Sequence, residues 1–200
     1  MAQKPTAKRH KAKLAERLTA LLLCAVLLVM TAGCAARSGA EKKVANELDA
    51  LKSSDSVGSE VSEIHKILSD EGKGYLDSFL KKLRDFDYEI TGERQDGDNT
   101  VVTVRIKTYD FGREYLAVWT DYLKERNGVI DENDDLTGFY EELFRRLSEL
   151  SEKEYIHDVE IVCVEPLDNG EWIANIKDNE QLQDAIFGGM MGEMKTLAGE

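Results

Sequence analysis

The chain has 200 residues, of which 42% are hydrophobic and 32% are charged, a composition typical of a folded domain rather than a disordered segment. Residues 1–33 hold six lysines and arginines and one acid, so residues 34–200 hold 20 basic and 38 acidic residues, a net charge of −18. Phosphate backbones and anionic headgroups repel such an acidic body, so the composition predicts no nucleic-acid partner and no electrostatic attachment to a membrane.

Residues 1–33 have the organisation of a secretory signal peptide. Basic residues come first, the uncharged apolar run Ala20–Met30 follows, and small side chains lead from there to Cys34. The run is shorter than the roughly 20 apolar residues that a membrane-spanning helix requires. Positive charge before the run predicts that this end stays inside the cell and that the remainder of the chain is exported.

The segment Val29-Met30-Thr31-Ala32-Gly33-Cys34 resembles a bacterial lipobox, with Thr31 where an aliphatic residue is usual. In that family the cysteine thiol receives a diacylglycerol and a peptidase cuts in front of it. The resemblance implies lipidation at Cys34 and a place on the extracytoplasmic face of the cell membrane, where the N-terminal acyl chains suffice as an anchor. An uncleaved signal anchor over about residues 19–36 and simple secretion remain as alternatives.

The exported part is predicted to be one α+β domain, residues 41–200, behind a short lipidated tether, residues 34–40. Apolar residues at helical spacing predict three helices, at about 41–52, 57–68 and 75–83. Gly72 and Gly74 are expected to interrupt the chain between the second and third of these helices.

Two runs then alternate apolar and polar residues with a period of two, the pattern of half-buried strands: Phe86 to Ile90 and Val102 to Ile106. The turn Gln95-Asp96-Gly97-Asp98 joins them into a hairpin. Two helices are predicted within about residues 112–150. The first ends at Asn127-Gly128, and an acidic loop from Asp131 to Asp135 precedes the second.

A second hairpin is predicted after these helices. Its first strand is apolar at consecutive positions from Val159 to Val164, which leaves open which side chains face the core. Asp168-Asn169-Gly170 turns the chain, and Trp172–Ile176 returns it. A last helix starts near Asp178, and Gly188-Gly189 separates it from a tail that contains methionines.

Hairpins segregated from helices predict an α+β fold in which an antiparallel sheet, built from two hairpins, packs on helices. Three segments resemble a group of exported lipoproteins with a nuclear-transport-factor-2-like (cystatin-like) fold: Phe86–Ile106, Tyr109–Gly112 and Asp168–Trp172. The resemblance implies a cone-like domain over about residues 41–190, often with a pocket between sheet and helices. The helices at about 112–150 depart from that pattern and leave the strand order open. Such a fold does not by itself transfer a function.

Few residue patterns in the exported part point to chemistry. His157 beside Asp158 is a candidate acid–base pair. Cys163 lies in an apolar strand and is expected to be a small buried hydrophobe. Four residues have the spacing of a calcium-binding loop: Asp131, Asn133, Asp135 and Glu142. Leu136 stands where such a loop requires glycine, so helix capping explains these residues better, and no metal or cofactor is predicted.

Aromatic residues supply the remaining candidates. Tyr115, Trp119 and Tyr122 recur at helical spacing, and together with Trp172 and His157 they are candidate pocket residues. The same spacing is also typical of core packing. The favoured hypothesis is a non-catalytic binding or interaction module for a small ligand or an envelope protein. The alternatives are a small pocket enzyme that uses an Asp/His pair and a purely structural envelope component.

Overall fold

The computed structural model of the chain describes residues 37–53, 59–128, 135–165 and 171–199. Several predicted features lie outside the described residues: the signal peptide with Cys34, the loop residues Asp131 and Asn133, and the turn Asp168-Asn169-Gly170. The chain divides into Met1–Ser38 and a compact unit, Gly39–Glu200, which contains every helix and strand that the structure describes.

Seven helices and four strands lie within the described residues. The helices are α1 Gly39–Ser53, α2 Ser59–Ile67, α3 Asp70–Arg84, α4 Phe111–Glu125, α5 Thr137–Glu149, α6 Glu180–Ile186 and α7 Met190–Ala198. The strands are β1 Asp87–Asp96, β2 Asn99–Thr108, β3 Tyr155–Val164 and β4 Ile173–Ala174. None of these helices combines the length and the apolar character that crossing a membrane would require.

The strands form one antiparallel sheet in the order β1-β2-β3-β4, which does not close into a barrel. Hairpins join β1 to β2 and β3 to β4, and the helices α4 and α5 lie in the connection between β2 and β3. The predicted α+β fold, with an antiparallel sheet of two hairpins packed on helices in an open, cone-like arrangement, is confirmed. Membership of the nuclear-transport-factor-2-like group stays a prediction.

The inner face of the sheet forms the first of two core clusters. Val104 and Ile106 of β2 and Val159 and Ile161 of β3 are fully buried there, beneath α1 and α6. The facing of β3, which the sequence left open, follows from this alternation: Val159, Ile161 and Cys163 point inward, whereas Val162 and Val164 are exposed on the outer face.

The second cluster, here called the helical cluster, joins α3, α4 and α5 with aromatic rings. Phe79 of α3 and Phe111 of α4 meet edge to face at 5.2 Å between ring centroids. Phe139 of α5 is buried among rings from α4. Edge-to-face pairs add about 0.5–1.5 kcal/mol to the free energy of area burial, so aromatic packing is a principal source of stability on this side.

The predicted interruption at Gly72 and Gly74 is wrong, because both glycines lie inside α3. The break falls earlier, at Ser69, whose hydroxyl accepts a hydrogen bond of 3.1 Å from the Gly72 N–H. The Ser69 N–H in turn donates to a carboxylate oxygen of Glu141 on α5, at 2.9 Å. An N-cap serine satisfies one of the free amides of the first turn, so it starts the helix despite the two glycines.

The C-terminal part also differs from the prediction. The strand predicted over Trp172–Ile176 is reduced to Ile173–Ala174, because the Ile176 N–H donates to the Ala174 carbonyl at 3.0 Å and turns the chain. The predicted last helix is α6, capped by Asn179. The methionine-containing tail, for which no element was predicted, forms the further helix α7.

Two glycines allow the backbone between α6 and α7 to contact the backbone at the start of α4 directly. Gly188 and Gly189 have φ values of +55° and +79°, which favour glycine. The Gly112 N–H donates to the Gly188 carbonyl at 3.0 Å. A methyl group on Gly188 would overlap the carbonyl oxygen of Tyr109, so both its conformation and its surroundings require glycine.

Gly188→Ala is therefore expected to lower the free energy of unfolding by more than about 1 kcal/mol, since alanine at a positive φ is strained even without an overlap. Gly74→Ala is the matched control, because Gly74 lies within α3 and a methyl group there would meet no atom within 4 Å. The free energy of unfolding of this control should rise by up to about 1 kcal/mol. Urea unfolding followed by circular dichroism measures both changes, and equal stabilities of the two variants would contradict the tight crossing.

Candidate functional site

A cavity lies where α1, α3 and α6 meet at the edge of the sheet. It has a volume of about 340 Å³ and will be called the α1–α3–α6 cavity. Most of its apolar lining comes from the two core clusters: Leu80, Leu83, Phe86, Ile176, Leu182, Ile186 and Phe187. The exposed side chain of Leu51 completes it. Ligand-binding cavities for small molecules span about 300–1,000 Å³, so this one has room for a single small ligand.

The polar residues that line the cavity are Arg84, Lys177 and Gln183. No carboxylate belongs to this lining, although acids outnumber bases almost two to one in residues 34–200. The Gln183 amide donates to the Lys177 carbonyl at 2.6 Å and holds the start of α6 against the chain before it. A third cation, Lys52, lies 5.5 Å above the ring of Phe86. An apolar cavity with a cationic margin therefore suits a ligand that joins an apolar body to an anionic group.

A cluster of paired side chains adjoins the cavity at Asp85, which stands between two of its lining residues. The Asp85 carboxylate accepts hydrogen bonds from the Tyr109 hydroxyl at 2.9 Å and from the Lys153 ammonium at 3.0 Å. Partial burial opposes ionisation of Asp85, but these two donors outweigh it and hold its pKa below the ordinary value. Burial and the nearby carboxylate both raise the pKa of Tyr109. The cluster ties the end of α3 to the end of β2 and to the segment between α5 and β3.

The stripe of candidate pocket residues on α4 packs into the helical cluster. Tyr115, Trp119 and Tyr122 surround the ring of Phe139, with ring centroids 6.3, 5.5 and 5.3 Å away. Tyr115 is buried, and the other two are half-buried. None of the three lines the α1–α3–α6 cavity. Their placement is that of packing residues, and a role in ligand binding stays a prediction.

Trp172 lies apart from that stripe, at the edge of the sheet cluster. Its indole packs so closely against Gly39, the first residue of α1, that a methyl group on the glycine would overlap the indole nitrogen. Trp172 therefore fixes the point at which the chain enters the domain. The structure does not bring Trp172 together with the aromatic residues of α4.

His157 and Asp158 point to opposite faces of β3, because successive side chains of a strand alternate. His157 is exposed, and its ring stacks on Tyr155 at 6.1 Å. Asp158 accepts two hydrogen bonds from Arg105 on the outer face, at 2.8 and 3.0 Å, which lower its pKa. The two candidates thus have different partners, and His157 is not part of the lining of the α1–α3–α6 cavity.

Cys163 is fully buried, and burial raises the pKa of its thiol to about 11. Of the calcium-loop candidates, Asp135 accepts a hydrogen bond from the Thr137 N–H at 2.9 Å, and Glu142 pairs with Arg145 at 2.7 Å. Among the described residues, no group of three or more histidine, cysteine or acidic side chains has the arrangement of a metal site.

The residues that line the cavity were not predicted as a site. Leu51, Leu80 and Leu83 are apolar residues at helical spacing in the sequence. Apolar positions look the same in a sequence whether their side chains fill a core or border a cavity, so helical spacing carries no signal for this site. The one available indication was the pair of basic residues, Arg84 and Lys177, that flank apolar segments in an otherwise acidic domain.

Comparison with protein-family models, with curated proteins and with solved structures finds no match to the chain. The geometry and chemistry of the chain itself are therefore the basis for inferring its function.

Replacing Asp85 by asparagine should make stability depend on pH in a defined way. A carboxylate whose folded-state pKa is lowered stabilises the fold above its unfolded-state pKa of about 4, and this effect is lost as pH falls through the folded-state value. Asp85→Asn should thus lower the free energy of unfolding at neutral pH by up to about 1 kcal/mol, because the pair is partly exposed to solvent. The difference from the unaltered protein should shrink as the pH falls below about 4 and should vanish once Asp85 is protonated in the folded protein as well.

Urea unfolding at several pH values measures this difference. Asp77→Asn, which removes an exposed carboxylate from α3, controls for the change in net charge. A difference between Asp85→Asn and the unaltered protein that persists at the lowest pH would show that ionisation of Asp85 is not its source.

Proposed function

We propose that the chain is a lipid-anchored, extracytoplasmic binding protein whose α1–α3–α6 cavity takes a small apolar ligand with an anionic group. Two separate features support the proposal. The lipobox-like segment that ends at Cys34 supports attachment to the membrane. The composition of the cavity lining supports binding rather than catalysis.

The main support for a binding function is the absence of carboxylates among the residues that line the cavity. Burial of an apolar ligand body against the leucine, isoleucine and phenylalanine side chains contributes about 25 cal/mol per Å² of area removed from water. Arg84 and Lys177 at the same cavity favour a carboxylate, sulfate or phosphate on the ligand, and no acid of the lining opposes it. The large negative charge elsewhere on the domain disfavours acidic macromolecules.

The ligand class is thus an amphipathic anion such as a medium-chain carboxylate. The cavity is small, so the ligand is a single chain or a compact ring system rather than a folded partner. Because the lining includes residues of α1, α3 and α6, a bound ligand would hold these helices together. Binding should therefore raise the stability of the domain in proportion to ligand concentration.

The anchoring part of the proposal predicts that the mature protein begins at a diacylated Cys34. Mass spectrometry of the N-terminal peptide from bacterially expressed, membrane-extracted protein measures the added mass directly. Cys34→Ser should abolish acylation and release the protein or block its maturation. Cys24→Ser is the matched control within the same export segment, and it should mature normally. Full-length, unprocessed protein in the cytosol would contradict the anchor.

The binding part predicts that residues 35–200 bind decanoate more tightly than decanol, which lacks the charge. Arg84→Gln and Lys177→Gln should each weaken decanoate binding about three- to tenfold, the effect of losing one partly exposed charged contact, and should leave decanol binding unchanged. Lys107→Gln, which removes an exposed lysine from the outer face of the sheet, is the matched control. Isothermal titration calorimetry measures the affinities of the unaltered protein and of the three variants for both compounds.

A variant that fills the cavity tests whether the ligand binds in the cavity or elsewhere on the protein. Leu80→Trp places a large ring at the lining, and it should reduce the affinity for both compounds while circular dichroism shows an intact fold. Unchanged binding of decanoate by a folded Leu80→Trp protein would mean that the ligand binds elsewhere, and the proposal would then be abandoned.

A further inference from the structure

Three exposed apolar side chains form a continuous patch on the outer face of the sheet, at the end where β3 meets β4. Val162, Val164 and Ile173 are 38%, 43% and 60% exposed and will be called the outer apolar patch. Val164 and Ile173 are direct partners across the β3–β4 ladder, so their side chains lie about 5 Å apart on one face. The three residues also border the same surface depression, to which Glu47, Lys177 and Asp178 contribute as well.

The opposite end of the same face is charged. Arg105 pairs with Asp158 there, and Asp87 and Lys107 occupy the outermost pair of the β1–β2 ladder. On β1 the charge extends to the other end as well, because Arg94 lies in the same row as Val162 and pairs with Glu160 at 2.8 Å. The apolar residues are therefore confined to the corner of the outer face where β3 meets β4. Isolated apolar residues on a surface need no explanation, but an adjacent group of them marks a contact surface.

The apolar end lies where the chain enters the domain. Gly39 begins α1 and packs against Trp172, the residue directly before Ile173. Cys34 is five residues before Gly39, and five extended residues span at most about 18 Å. A compact unit of this size has a radius of gyration of about 15 Å. A lipid on Cys34 would therefore keep this end of the domain close to the membrane surface.

Charge in the entering segment agrees with this orientation. Residues 34–43 hold three basic residues and one acid: Arg37, Lys42, Lys43 and Glu41. Basic residues close to an anionic bilayer are favourable, each by about 1 kcal/mol, whereas the acidic remainder of the domain is repelled.

We propose that the outer apolar patch rests on the lipid bilayer and sets the orientation of the anchored domain. The proposal rests on acylation of Cys34, which is part of the proposed function. With the patch against the lipid surface, Val164 and Ile173 leave water, and the opposite end of the sheet points away from the anionic headgroups.

The test compares two isoleucines of similar exposure at opposite ends of the outer face. Ile173, in the patch, is 60% exposed, and Ile156, near the charged end of β3, is 57% exposed. Their positions along the sheet differ by about the length of β3, roughly 26 Å. Ile173→Cys and Ile156→Cys each provide one reactive thiol, because Cys163 is fully buried and Cys34 is blocked when acylated.

Each variant is expressed as the full chain with its export segment, purified as the acylated form and labelled with an environment-sensitive fluorophore. The protein is then reconstituted into vesicles of phosphatidylethanolamine and phosphatidylglycerol that contain a brominated phospholipid, which quenches nearby fluorophores. The label at position 173 should lose roughly half of its emission, as expected for a group within the headgroup region. The label at position 156 should be unaffected. Val164→Cys repeats the patch measurement if Ile173→Cys folds poorly.

Equal quenching at the two positions, or none at position 173, in protein whose acylation mass spectrometry has verified would overturn the orientation while leaving the anchor intact. Protection of position 173 from an aqueous quencher without quenching by brominated lipid would assign the patch to a protein partner and would equally overturn the proposal. Absence of acylation would remove the anchor and the orientation together.

Discussion

The pairing of β2 with β3 is the interaction on which the rest of the structure depends. The ladder runs without a break from Thr100 opposite Cys163 to Thr108 opposite Tyr155. It joins segments separated by 46 residues of connection, whose closure costs about 3 kcal/mol of chain entropy. Burial of each inward valine or isoleucine contributes about 1.5–3 kcal/mol. Since several such residues lie in register along the ladder, their burial exceeds the entropic cost of holding the connection closed.

The same ladder determines where each candidate surface lies. A period of two sends Val159 and Ile161 to the core and Asp158 and Val162 to the outer face, so a shift of one residue would exchange the two sets. The helices of the long connection pack as a separate aromatic cluster beside the sheet. The α1–α3–α6 cavity lies where residues of the two clusters come together, and ligand sites commonly occur where such packing units meet.

The periodic parts of this architecture were predictable from residues that repeat at regular spacing. Phe86 to Ile106 specified the first hairpin, and the aromatic stripe on α4 specified that helix. The start of α3 at Ser69 was not predicted, because it depends on the Ser69 hydroxyl, which caps the first turn, and on a hydrogen bond from the Ser69 N–H to distant Glu141. The cavity was missed because whether Leu51 and Leu80 fill or border a space depends on how far apart α1 and α3 pack, and no local pattern contains that distance.

Helix α1 connects the two proposals, because it begins beside the outer apolar patch and ends at the cavity. Gly39 packs on Trp172 next to the patch, whereas Leu51 lines the α1–α3–α6 cavity. Twelve residues of helix separate them by about 18 Å. Ile176 and Lys177, however, line the cavity and also border the depression at the patch, so the two sites adjoin on this side. The preference for an amphipathic anion over a long-chain lipid therefore rests on the small volume and the cationic margin of the cavity, and not on the orientation of the domain.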